Sequence, residues 1–127
     1  MVARVVTVDD VRAIAGELPR SYEVLVRDRV KFRVGRLVYL AFSRDETLMG
    51  FAFPKEERPL LVATHPSKFL MPVASDMRYN WARARLSALD FDEMNELVLG
   101  AWQMVVPKRV AKDHLANWPT QPSDRLA

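Results

Sequence analysis

The stretch "VKFRVGRLVYLAF", residues 30–42, changes its pattern halfway. Val30, Phe32 and Val34 alternate with Lys31 and Arg33. Successive side chains of a strand point to opposite faces, so this half reads as a strand with one apolar and one cationic side. Gly35-Arg36 follows as a two-residue turn. Leu37 to Phe42 is almost wholly apolar, the pattern of a central strand covered on both faces.

Outward from this hairpin the same grammar repeats. Upstream, "YEVLV" is a strand separated from "VKFRV" by the polar "RDR"; downstream, "SRDE" is a turn and "TLMGFAF" a returning strand. Four strands so close in sequence make an antiparallel meander. A helix precedes them. Thr7 is its cap with Asp10 three residues on, Val6 and Val11 stand at staple positions, and Val11, Ile14, Ala15 and Leu18 form its stripe. Pro19 ends it, since the residue before a proline avoids the α region.

After the meander, "PKEERPLLVATHP" reads as a short helix with an acidic first turn, its start blurred by Pro59. "SKFLMPVASDM" is a short extended segment and a loop, and "YNWARARL", residues 79–86, is a further strand. The last major helix begins at "DFDEM", with Asp90 as cap, Glu93 at the capping-box position, and Leu89 and Met94 as staple. Phe91, Met94, Leu97, Val98, Ala101, Trp102 and Val105 give it a broad apolar face that Pro107 interrupts. Trp102, Met94 and Met104 read as core. "KRVAKDHLA" adds a basic turn or two. The expected fold class is α+β: an antiparallel sheet with helices packed on one face. One domain over residues 1–116 and a flexible tail over 117–127 are expected from the 127-residue length and the proline-containing end.

Composition narrows function more than it assigns it. There is no cysteine, which removes disulfides, thiolate chemistry and Cys-based zinc sites and fits a reducing, cytoplasmic setting. No apolar run reaches the roughly 18 residues of a membrane span, and the N-terminus lacks a secretory pattern. His65 and His114 stand far apart, outside any ligand-spaced pair, so no metal or other cofactor is expected. The carboxylate clusters Asp9-Asp10, Glu56-Glu57 and Asp90-Asp92-Glu93 all fall at expected helix starts, where capping and the helix dipole explain them. There is no Gly-x-Ser-x-Gly elbow, and the four glycines form no phosphate-binding fingerprint, so no motif supports an enzyme.

What remains is charge placed by parity. The net charge is only +3. Yet Arg29, Lys31 and Arg33 share one face of their strand, and Tyr79, Trp81, Arg83 and Arg85 share one face of theirs. If both strands belong to one sheet, these groups share its open face, with Arg83 and Arg85 wet and near Lys31 or Arg33, and with Asn80, Ala82, Ala84 and Leu86 facing the helices. Such a face suits phosphates and stacked bases. It also suits plain solvent, or a protein-interaction domain in which Tyr79 and Trp81 anchor a partner or a homodimer.

The ordered set of pieces resembles the MmcQ/YjbR family of small bacterial proteins. The resemblance runs from about residue 7 to 110: the helix ending in "ELP", "KFRVGRLVYLAFS", the segment into "THPSKF", "YNWARARL", and "LDFDEMNELVLGAWQMVVPKR". It implies a frataxin-like (CyaY-like) sandwich and a proposed DNA-binding role. Trp81 matches a recurrent Trp of the family's late strand, and Lys108 and Arg109 match its basic exit. The loop "PVASDMRYN" departs from the family in lacking glycines. The resulting expectation is a non-enzymatic protein, monomeric or homodimeric, that holds double-stranded DNA weakly and salt-dependently.

Overall fold

The computed structural model describes residues 5–116; the tail expected over 117–127 lies outside them. The order of elements is α1 (Val8–Ala15), β1 (Ser21–Val26), β2 (Arg29–Val34), β3 (Leu37–Phe42), β4 (Leu48–Ala52), α2 (Arg58–Thr64), β5 (Phe69–Leu70), β6 (Trp81–Arg85), α3 (Phe91–Gln103) and α4 (Lys108–Ala116). All strand pairings are antiparallel, in the order β1-β2-β3-β4-β6-β5. The meander holds, and β6 inserts between β4 and the short outer strand β5.

Local chemistry sets the ends of these elements. Both major helices carry complete capping boxes, Thr7 with Asp10 and Asp90 with Glu93. The β1–β2 turn is Arg27-Asp28, and both residues have positive φ (52° and 65°), the backbone of a hairpin whose twist matches its strands. In the next turn Gly35 takes φ 60°. Between β2 and β3 the register shifts, because Phe32 pairs with Leu40 and Arg33 with Val38. Tyr39 is the extra residue, so Tyr39 and Leu40 are both fully buried although adjacent.

The apolar face of the sheet meets the helices. Val30, Phe32, Leu40, Phe42, Met49, Phe51, Ala82 and Ala84 are buried with Val11 and Ala15 of α1 and Met94, Val98, Ala101 and Trp102 of α3. Each large apolar side chain buried this way contributes roughly 1.5–3 kcal/mol before entropy is counted. The Trp102 indole N–H donates to the Pro19 carbonyl at 2.9 Å, and its ring meets His114 of α4 edge-on at 5.1 Å between centroids. Arg12 of α1 bridges to Glu23 of β1 at 2.8 and 3.0 Å, holding that carboxyl below its ordinary range. Tyr39 and Ser21 share a hydrogen bond of 2.5 Å, and burial pushes the Tyr39 hydroxyl up to about 12.

Several expectations are corrected. The first helix stops at Ala15, and Leu18 is buried from the turn that follows. Glu56 and Glu57 precede α2 and do not form its first turn; Pro59 sits inside that turn, where no backbone donor is needed. α3 ends at Gln103, so Met104 and Val105 leave the helical period, and Met104 is exposed where core was expected. Tyr79 and Asn80 lie before β6, and Asn80 is exposed where it was expected to face the helices.

Candidate functional site

Ala82 and Ala84 point into the core, which turns Trp81, Arg83 and Arg85 to the other face of the sheet. Val30, Phe32 and Val34 do the same for Arg29, Lys31 and Arg33. The register then fixes who stands beside whom. One row runs Val24, Lys31, Ala41, Gly50, Arg83, Leu70 across all six strands. Lys31 and Arg83 therefore face each other across two small residues. At about 4.8 Å per strand their backbones are about 14 Å apart. The expectation that Arg83 and Arg85 lie near Lys31 or Arg33 is corrected on this point: β3 and β4 stand between them.

The gap is a concavity of about 550 Å³. Ala41, Gly50 and Ala52 belong to its floor, with Lys31 and Arg29 on one side and Arg83 and Trp81 on the other. The 71–80 loop adds Val73, Asp76, Tyr79 and Asn80, and the turn after α3 adds Met104 and Val105. Volume in this range is typical of small-ligand sites.

Trp81 owes its pose to Gly50. A Cβ built on Gly50 would lie 2.7 Å from both Cζ2 and Nε1 of the indole. The ring thus rests against bare backbone, half-buried, on a spot where any other residue would push it off. The sequence carried a signal for this, because a glycine inside a strand pattern marks a close approach.

Arg58 sets the backbone around Trp81. It is a buried charged side chain, 5% exposed. One guanidinium nitrogen donates to the carbonyls of Tyr79 (2.8 Å) and Trp81 (3.0 Å), and the other donates to the Met77 carbonyl. The Lys55 amide donates to Asn80 Oδ1 at 3.0 Å, so the Asn80 amide group is left for the concavity. Outside it, Arg78 stacks 4.8 Å from the Tyr79 ring centre and donates to its hydroxyl at 2.7 Å. Nothing in "EERPLL" announces the Arg58 role, since its partners are carbonyls some 20 residues away.

The cations differ in how free they are. Arg83 Nε donates to the Met71 carbonyl at 3.0 Å, and Arg85 to the carbonyls of Ser67 (3.2 Å) and Pro66 (3.4 Å). Both thus serve partly as struts for the edge of the sheet. Arg29 and Lys31 have no ion-pair or hydrogen-bond partner for their side chains among the described residues. Of the nine sequence candidates, Arg29, Lys31, Tyr79, Trp81 and Arg83 line the concavity. Arg33 lies on the same face with its Nε buried and, among the described residues, without a hydrogen-bond partner, while Lys108 and Arg109 are exposed at the start of α4 and do not line it.

Among the described residues no group of three His, Asp or Glu side chains could hold a metal ion, and no helix is long and apolar enough to cross a membrane.

The sequence matches no protein-family model and no curated protein. In structure it is similar to the Deinococcus radiodurans protein DR2400, whose domain is described as DUF419. The TM-score is 0.68 at 20% identity, over 96% of this chain and 87% of that one. The likeness supports the α+β fold. DUF419 is related to the MmcQ/YjbR family.

Proposed function

We propose that this is a non-enzymatic, cytoplasmic DNA-binding protein of the MmcQ/YjbR type that grips phosphates with the open face of its sheet. One observation carries the reading. Arg29, Lys31 and Arg83 converge on a single concavity, and no carboxylate is ion-paired with any of them among the described residues. A cation without a protein counter-charge gains most from a phosphate, because its attraction is not already spent. The family resemblance and the relation of DUF419 to that family support the same reading.

With two or three phosphate contacts, log affinity should fall against log salt with a slope of about −2 to −3. Titration of a labelled duplex at low and moderate salt reads that slope. Arg29→Ala with Lys31→Ala should weaken binding and flatten the slope by about 2. Absence of binding at low salt, or a slope untouched by the double variant, sinks the proposal.

One observation favours homodimerisation as a second reading. β1 is an outer strand, and its Leu25 is 70% exposed. An unpaired strand edge with an apolar side chain is a template for a second copy. Light scattering behind size exclusion decides it: a dimer that Leu25→Lys dissolves supports the reading, and a monomer at high concentration removes it.

A further inference from the structure

The concavity is chemically graded along the strands. Arg29, Ser43 and Leu48 line one end, and Lys31 and Arg83 the middle. Trp81 and Ala52 lie at the other end, together with Val38, Met104 and the 71–80 loop. The Trp81 ring lies over Gly50, which shares a row with Lys31 two strands, or about 10 Å, away; the Lys31 stem reaches into that gap, so an anion at its ammonium sits roughly one nucleotide unit from a ring on Trp81. The Trp81 end also carries the means to hold the edge of a polar ring. The Asn80 amide offers donors and the Asp76 carboxylate offers acceptors. A greasy chain would leave these groups unpaired, while a heterocyclic base would satisfy them.

We infer that this concavity is a binding site for one flat heterocyclic ring and the anionic group attached to it. The ring lies against Trp81 between Asp76 and Asn80, and the anion is held by Lys31 with Arg29 beyond it. Within the DNA-binding reading, on which this rests in part, the ring is a base that has left its stack. Bases in an intact duplex are covered on both faces and cannot reach an indole set down on Gly50. The same chemistry is met by a free nucleotide. The site therefore prefers unpaired over paired nucleic acid, and Trp81 and Gly50 set that preference.

The test compares three probes: dT12, a 12-base-pair duplex, and thymidine 5′-monophosphate. Anisotropy serves for the oligonucleotides and calorimetry for the nucleotide. The expected result is that dT12 binds at least tenfold tighter than the duplex. Trp81→Ala should weaken dT12 by about 5- to 100-fold, the span seen when one base loses its aromatic platform, and leave the duplex unchanged. Gly50→Ala should weaken dT12 in the same direction by displacing the ring. Lys31→Gln changes only a half-exposed strand position, and it should weaken both dT12 and the nucleotide. It keeps the inference testable if Trp81→Ala fails to fold. Binding of the nucleotide without dT12 upholds the site and removes the DNA reading. Equal binding of dT12 and duplex, both weakened by Lys31→Gln and untouched by Trp81→Ala or Gly50→Ala, overturns the inference and leaves the DNA reading standing. Binding of none of the three overturns both.

Discussion

Replacing Arg58 by Met removes the charged fork but keeps most of the stem that packs under the 77–81 backbone. Three carbonyls then lose their donor: Met77, Tyr79 and Trp81. A hydrogen bond from a charged group contributes about 1.5–3 kcal/mol, which would total well over 5 kcal/mol if simply added. Two effects reduce it. Met77 and Tyr79 are exposed residues, so water can reach their freed carbonyls. Burying a guanidinium without a carboxylate is itself costly, and the variant no longer bears that cost. A net loss of about 2–3 kcal/mol is expected. In urea, where m is about 1–3 kcal/mol/M, the midpoint should fall by roughly 1–2 M with m unchanged. Hydrogen exchange should speed up first at residues 77–81, because the clamp is local. Arg58→Lys should not rescue, since an ammonium cannot span three carbonyls with a planar fork. A midpoint shift under about 0.3 M, or full rescue by Lys, would refute the claim that Arg58 organises this loop.

Two pH predictions follow from the ion pair and the buried phenol. Burial raises the Tyr39 hydroxyl to about 12, above the value near 10 that it has when unfolded. Its contribution is complete below pH 10 and is lost as pH rises toward 12, about 2–3 kcal/mol in all. Urea melts at pH 9 and pH 11.5 should show this loss in the wild type and not in Tyr39→Phe; equal losses would contradict it. Glu23 is held low first by its hydrogen bond to Arg12, so its contribution is present above the unfolded carboxylate range and lost as pH falls through the folded value. Both side chains are more than a third exposed, so Glu23→Gln should cost only ~0.5 kcal/mol at pH 7 and nothing at pH 3 in thermal melts. A cost that persists at pH 3 would show that packing, not charge, is what Glu23 supplies.

How much could be read in advance divides along the range of each interaction. The caps Thr7 and Asp90 act within three residues, and the alternation of Val30 to Val34 and of Trp81 to Arg85 needs only the pleat of a strand. So the helices, the strands, the buried alanines and the sidedness of the cations were all legible in the sequence. The neighbours of each strand were not, because pairing joins residues tens of positions apart, and parity says nothing about order across a sheet. That order put Ala41 and Gly50 between Lys31 and Arg83 and made a concavity of what the sequence offered only as a basic face. It also let Met71, Ser67 and Pro66 claim the guanidinium groups of Arg83 and Arg85, while Arg29 and Lys31 line the concavity with no partner for their side chains among the described residues. Strand parity alone settles which side chains share a face of the sheet. The distances between them, the bare backbone at Gly50 that seats Trp81 and the Arg58 clamp beneath it arise only on folding, since each depends on segments that meet in the folded chain.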